Sequence, residues 1–449
     1  MMPLAEIVAA QGATVAGSDR SLDQGRLAAK FDALAVQGIG LHAQDGSGIM
    51  SSDQIVIASA AIEATVPDII RATELGCARM TRAELLAELF NAAPVSIAVG
   101  GTSGKSTVTG MIGWIMDRAG RDPTIMNGAI MKNYGTGARV AVDPTETSVF
   151  VSEVDESDGS IALYRPTVAV LNNVSLDHKS MEELRLLFGD FLGRSAWSVV
   201  NADDGEAVAI LEASGGELRL SFSANGVCTP QSLCARDIVE EPFAVSFDLI
   251  DATVPLGRVR LAVPGRHNVA NALAALAATS ASGLVTIGEA MVAIEGFAGL
   301  RRRFDHVGTA GDITVIDDFG HNPDKIAATL STLHAFPGRL LVFFQPHGYG
   351  PLKQMGRELA YAFRSNLAED DRLIVSDPAY FGGTVDRSTG SEALVEAIGE
   401  QAEHIVAREA CGQRLVALAR PGDRIVVMGA RDDTLSDFAA GLLAALPSA

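Results

Sequence analysis

Cysteine and positive charge are both scarce in this chain of 449 residues. Its four cysteines, Cys77, Cys228, Cys234 and Cys411, are too few to staple so long a polypeptide, which excludes a disulfide framework. Cys228 and Cys234 lie close together, but no second Cys/His pair completes a tetrahedral metal spacing. Thirty-five basic residues against 55 acidic ones leave a formal charge of −20, which argues against a nucleic-acid or anionic-membrane surface. A polyanionic substrate must therefore be met locally, by a few Lys/Arg, backbone N–H groups and a metal ion. No apolar run reaches the roughly 18 residues of a membrane span, and the start, Met1-Met2-Pro3-Leu4, has no basic leader pattern. The expectation is a soluble, cytoplasmic protein. What the chain does have is apolar mass. Hydrophobic residues make up 48% of it and mean hydropathy is +0.22, enough for a sizeable core.

Short β-branched runs alternate with helical patterns, which predicts a mainly parallel α/β architecture of two to four domains. Composition shifts near Asn91–Pro94 and again near Leu300–Arg303, so the predicted domains are 1–93, 94–299 and 300–449. The later part of the middle domain, about 205–262, has Pro/Gly breaks and alternating runs such as 243–247, and is read as a small antiparallel insertion. The last domain is read as doubly wound, with strands at 313–316, 339–344, 372–375 and 424–428 and a final helix from about Thr434. The first is Rossmann-like, except that the sequence opens on a helical pattern, without the strand and glycine turn that usually precede it.

The sharpest chemical signal is the strand 95–99 running into Gly100-Gly101-Thr102-Ser103-Gly104-Lys105-Ser106-Thr107. Apolar residues at 108, 111, 112, 115 and 116 then mark one face of a helix. Such a loop aims backbone N–H groups at phosphate oxygens; Lys105 can reach the β/γ-phosphates and the Ser106 hydroxyl can hold Mg²⁺. A second strand ends in Glu153-Val154-Asp155-Glu156-Ser157-Asp158, and a third in Asn172-Asn173-Val174-Ser175-Leu176-Asp177-His178. Alone, the acidic run reads as a solvated loop and His178 as a structural histidine. At the carboxyl ends of parallel strands beside a phosphate loop, Glu153 and His178 become candidate ligands of a two-metal arrangement. Pro264–Asn268 precedes an alanine-rich helix and reads either as a plain N-terminal cap or as a functional segment; Asp317–Pro323, between strand and helix, carries two aspartates and His321 that capping does not require.

Together these residues resemble the Mur ligases, which use ATP to join an amino acid or peptide to a UDP-linked muramyl carboxylate. The resemblance runs over nearly the whole chain, from Gly17-Ser18-Asp19 through Asn127-Gly128 and Arg302-Arg303-Phe304 to Phe344-Gln345-Pro346-His347. It implies that Lys105 and the Gly101, Thr102, Ser103 and Gly104 backbone hold ATP phosphates, followed by Thr107. Ser106 and Glu153 would bind one Mg²⁺ and His178 the second. Asn268, Arg303 and Asp318 would face the nucleotide, the last two on domain closure. Asn127, His321 and His347 would face the substrate. The implied reaction passes through an acyl phosphate, with small-molecule substrates, no nucleic-acid or membrane partner, and a monomer or weak homodimer as the acting species. In the alanine-adding members, arginines follow Phe-Gln-Pro-His; here Gly348 and Pro351 occupy those positions. A ligase acting on another carboxylic acid, and a non-catalytic nucleotide-binding protein on the same scaffold, are the alternatives.

Overall fold

The computed structural model describes all residues except 60, 61, 143, 144, 146, 177, 178, 216, 217, 380–386, 388, 389, 431, 433, 448 and 449. Two compact units result: 1–238 with 246–260 and 267–297, and 298–449 with 239–245 and 261–266. The N-terminal and central segments share the first of these, and packing shows why. Leu4 and Ile7 of the opening helix Met2–Ala10 are buried in the same apolar cluster as Phe90, Phe150, Phe188 and Phe191. The N-terminal segment carries two parallel ribbons, Ala16–Ser18 with Gly40–His42 and Val56–Ala58 with Arg79–Thr81. Its last helix, Arg82–Asn91, starts at a capping box in which Thr81 and Glu84 satisfy each other's backbone N–H groups.

Ten strands form the large sheet, and Val95–Gly100 is one of its interior strands. Val149–Glu153 pairs parallel to it on one side and Val168–Leu171 on the other. The chain leaves Val95–Gly100 toward Thr124–Met131, returns to Val149–Glu153, then crosses to Val168–Leu171. That reversal of winding opens a crevice at the carboxyl ends of these strands. The helix Lys105–Arg118 packs Val108, Met111, Ile112, Ile115 and Met116 inward, each fully buried. The predicted antiparallel insertion is narrower than its sequence range. Helix Gly205–Ser214 and strand Leu218–Ser223 continue the parallel sheet, and the meander is Ser232–Glu241, Ala244–Asp251 and Val254–Leu261, joined by two-residue turns. A disulfide joins Cys228, in the loop before the meander, to Cys234 on its first strand.

The second unit holds a six-stranded sheet in the order Asp305–Ala310, Ile313–Asp318, Arg424–Gly429, Leu340–Gln345, Arg372–Val375, Ala402–His404. All pairs are parallel except the first. Leu340, Val342 and Phe344 point into one apolar cluster, with Leu330 and Phe363; Leu341 and Phe343 point into another, with Leu415 and Leu435. This alternation is the period of a strand covered on both faces, hence a doubly wound layer. Among the described residues, no helix is long and apolar enough to cross a membrane.

Candidate active site

In the first unit the phosphate loop is held from below by asparagines. The Asn173 side chain accepts hydrogen bonds from the Ser103 N–H (2.8 Å) and the Thr102 hydroxyl (3.0 Å). Gly104 adopts φ +81°, and a Cβ there would overlap Asn172 and Asn271, whose side chains bond each other at 3.1 Å. Asn271 in turn donates to Asn268, so the implied nucleotide residue is buried in the wall behind the loop. The helix begins at Lys105, where unpaired N–H groups and the helix dipole favour an anion. Lys105 Nζ donates to the Gly101 carbonyl and to Glu156 Oε2, both at 2.8 Å. The Ser106 hydroxyl donates to Glu153 Oε2 at 2.7 Å, across the crevice between adjacent strands. Gly128 makes room for that carboxylate, since a Cβ at this position would collide with Glu153 Oε1. Asn127 is buried and donates to the Ser106 carbonyl at 2.8 Å. Thr107 is half-buried on the first helical turn; Asp177 and His178 lie outside the described residues.

The second unit groups a different set. Arg303 lies over the Phe319 ring at 4.6 Å, and Arg302 lies over it at 5.0 Å. Arg302 is buried, donates to the Gly429 and Asp432 carbonyls, and faces Asp317 at 3.5 Å. Burial pushes the Asp317 carboxyl up to about 6, against the pull of Arg302. Asp318 spends both oxygens locally, accepting from the Phe304 and Gly320 N–H groups and from the Thr329 hydroxyl. His321 bonds the Phe319 carbonyl through Nδ1 at 2.8 Å, so in its neutral form Nδ1 carries the proton and Nε2 keeps a lone pair. Burial, then the charge of Lys325, pulls its pKa down to about 3. The His347 ring stands 5.0 Å from it, edge to face.

Three family profiles match along the chain: the Mur ligase family catalytic domain over residues 1–93, the Mur ligase middle domain over 99–279, and the Mur ligase glutamate ligase domain over 302–431. A UDP-N-acetylmuramate–L-alanine ligase of Geotalea uraniireducens is 31% identical over 442 residues, covering 96% of this chain and 92% of its own. Its counterpart in a Synechococcus strain is 34% identical, covering 96% and 82%. The chain belongs to the Mur ligase family. Two solved structures share the fold. A UDP-N-acetylmuramate–alanine ligase of Thermotoga maritima superposes with a TM-score of 0.78 at 20% identity, over 99% of this chain and 95% of that one. A murein peptide ligase of Psychrobacter arcticus gives 0.70 at 22%, with the same coverage.

Within this Mur ligase, the fold brings Lys105, Ser106, Glu153, Asn127 and Asn268 to one crevice of the first unit. Arg303, Asp318, His321 and His347 belong to the second unit. Sequence reasoning missed Glu156, Asn172, Asn173 and Asn271. The asparagines had a signal: Asn172 and Asn173 close a buried strand, and Asn271 sits one helical turn after Asn268. It also chose Arg303 and Asp318 over their neighbours, although Arg302 and Asp317 are the pair that face each other in the interior.

Proposed function

We propose that this Mur ligase is an ATP- and Mg²⁺-dependent acid–amino-acid ligase, joining an amino acid or peptide to a UDP-N-acetylmuramate-type carboxylate in peptidoglycan precursor synthesis or recycling. The observation that carries the reading is the Lys105, Ser106 and Glu153 cluster at a crevice of the parallel sheet, in a chain 31% identical to an L-alanine ligase over 96% of its length. A carboxylate is a poor electrophile, and transfer of the γ-phosphoryl group to it makes an acyl phosphate that an amine can attack. Lys105 and the N–H groups at the start of its helix stabilise the charge on the transferring group. A hydroxyl and a carboxylate are the hard oxygen donors Mg²⁺ prefers, so Ser106 and Glu153, with His178 as the resemblance implies, would hold it. When bound, Mg²⁺ supplies charge neutralisation at the phosphates. Asn268, Arg303 and Asp318 are assigned to the nucleotide, and Asn127, His321 and His347 to the substrate. The neutral His321 offers Nε2 as a hydrogen-bond acceptor suited to an amine. The domain division 1–93, 94–299 and 300–449 belongs to the same proposal.

The test is ADP release from ATP with UDP-N-acetylmuramate and a panel of amino acids and short peptides, with the product identified by mass. Release that requires both carboxylate and amine is expected. ATP binding without substrate-dependent release would instead favour the non-catalytic reading.

A further inference from the structure

Four carboxylates, Glu153, Asp155, Glu156 and Asp158, stand at the end of the strand Val149–Glu153 and in the turn after it, and the ligase reading uses only Glu153. Two of the others brace the turn that carries them: Asp155 accepts from the Ser157 N–H and Asp158 from the Ser160 N–H, each at 2.8 Å. Both are exposed. Glu156 differs. It is 4% exposed, and its Oε2 lies 2.8 Å from Lys105 Nζ. A carboxylate is costly to bury, and a solvated loop would turn it outward as it does the neighbouring aspartates.

The same ammonium also donates to the Gly101 carbonyl, four residues back, so the lysine stem is folded over the mouth of its own loop. A lysine ammonium has three donors in a tetrahedral spread, and these two acceptors fix the direction of the third. A lysine is otherwise a flexible point charge with many rotamers. Fixing it before the nucleotide arrives removes an ordering step at the moment of reaction, which is the basis of electrostatic preorganisation.

We propose that Glu156 is a positioning residue for phosphoryl transfer: with the Gly101 carbonyl it holds Lys105 aimed at the phosphate site. This rests on the ligase reading above. Glu156 also offsets part of the lysine's charge, so its removal has opposite effects on the two stages. Ground-state attraction for ATP is kept or strengthened, while the aim of the lysine in the transition state is lost.

Glu156→Gln keeps the side-chain volume and removes the charge; Glu156→Asp keeps the charge and retracts it by one methylene. Steady-state kinetics of both, with thermal midpoints, should show for Glu156→Gln a kcat lower by about 10- to 100-fold with the KM for ATP unchanged or lower. Glu156→Asp should recover part of that loss. In parallel, ¹³C-methyl labelling of the lysines, with Lys105→Ala to assign the signal, should show the Lys105 resonance moving toward the free-lysine position in Glu156→Gln. A folded Glu156→Gln enzyme with kcat within twofold of the parent overturns the proposal. So does a parallel loss of kcat and ATP affinity. If Glu156→Gln does not fold, parental kcat in Glu156→Asp together with an unmoved Lys105 resonance overturns it. If the parent itself shows no substrate-dependent ADP release, the ligase reading fails, and the Lys105 resonance alone then decides whether Glu156 positions the lysine.

Discussion

On the ligase reading, Lys105 is how a chain with a charge of −20 would meet a polyanion: one ammonium, 19% exposed, sits beside a helix N-terminus. Lys105→Ala should leave the fold intact and lower kcat on the order of a hundredfold, because its charge matters most while the phosphoryl group moves. Near-parental turnover would remove the phosphate-loop assignment. Two residues of the second unit make a separate prediction about pH. Asp317 titrates near 6 against an ordinary 3.8, so the folded state holds that proton more tightly and stability falls as pH rises through this window. His321 titrates near 3 against 6.5, so the folded state holds its proton less tightly and stability falls as pH drops from 6.5 toward 3. Between about 4 and 6 the two slopes oppose each other. Asp317→Asn leaves the histidine term alone, and the thermal midpoint of that variant should fall more steeply from pH 6 to pH 4 than the parent's. His321→Gln should show the reverse. Parallel pH profiles for parent and variants would contradict both assignments.

Elements are joined through a few side chains that sequence periodicity does not reveal. Arg424, 8% exposed at the start of the strand Arg424–Gly429, donates to the carbonyl of Leu333 in the last turn of the helix Pro323–His334 and to those of Phe336 and Gly338 just beyond it. Arg424→Met keeps an apolar stem but leaves three carbonyls without that donor. A loss of about 3 kcal/mol is expected, read as a lower urea midpoint with unchanged slope in circular dichroism of the full chain. A midpoint equal to the parent's would show that water replaces the arginine. What was legible follows from period and length. The helix Lys105–Arg118 was readable because five apolar positions keep helical spacing after a glycine turn, and the long buried strands because they are continuous apolar runs. Three-residue strands such as Ala402–His404 and Gly40–His42 are too short to show a period. Glu156 stayed hidden because an acidic run looks the same in sequence whether one member turns inward or none does. The Asn172–Asn271 bond joins residues 99 apart, a tertiary fact no local pattern carries. Lys105, Ser106 and Glu153 were legible because strand ends in a parallel sheet converge.

At the scale of the molecule, family profiles and relatives agree along most of the length, and the open chemical question is which amine this Mur ligase takes. The relatives are L-alanine ligases by name, but the segment after Gln345 departs from the pattern that the resemblance implies for alanine-adding members. Gly348 lies just before the helix Tyr349–Asn366, and Pro351 sits in its first turn, where arginines would be expected. Each arginine contact to a carboxylate or phosphate is typically worth about 1.5–3 kcal/mol, so losing two without replacement weakens binding by orders of magnitude. Lys353 follows two residues later, but an ammonium on a flexible stem does not reproduce a planar two-pronged contact. Gly348 and Gly350 also carry no side chain, which leaves space for a larger acceptor. L-alanine should therefore be a poor acceptor, and a larger amino acid or short peptide a better one. Competition between L-alanine and peptide acceptors for a fixed amount of UDP-N-acetylmuramate, with products weighed by mass spectrometry, measures the ratio of kcat/KM directly. A preference for the larger acceptor of tenfold or more is expected. Saturable selectivity for free L-alanine would show that other groups of this chain hold the amino acid's carboxylate.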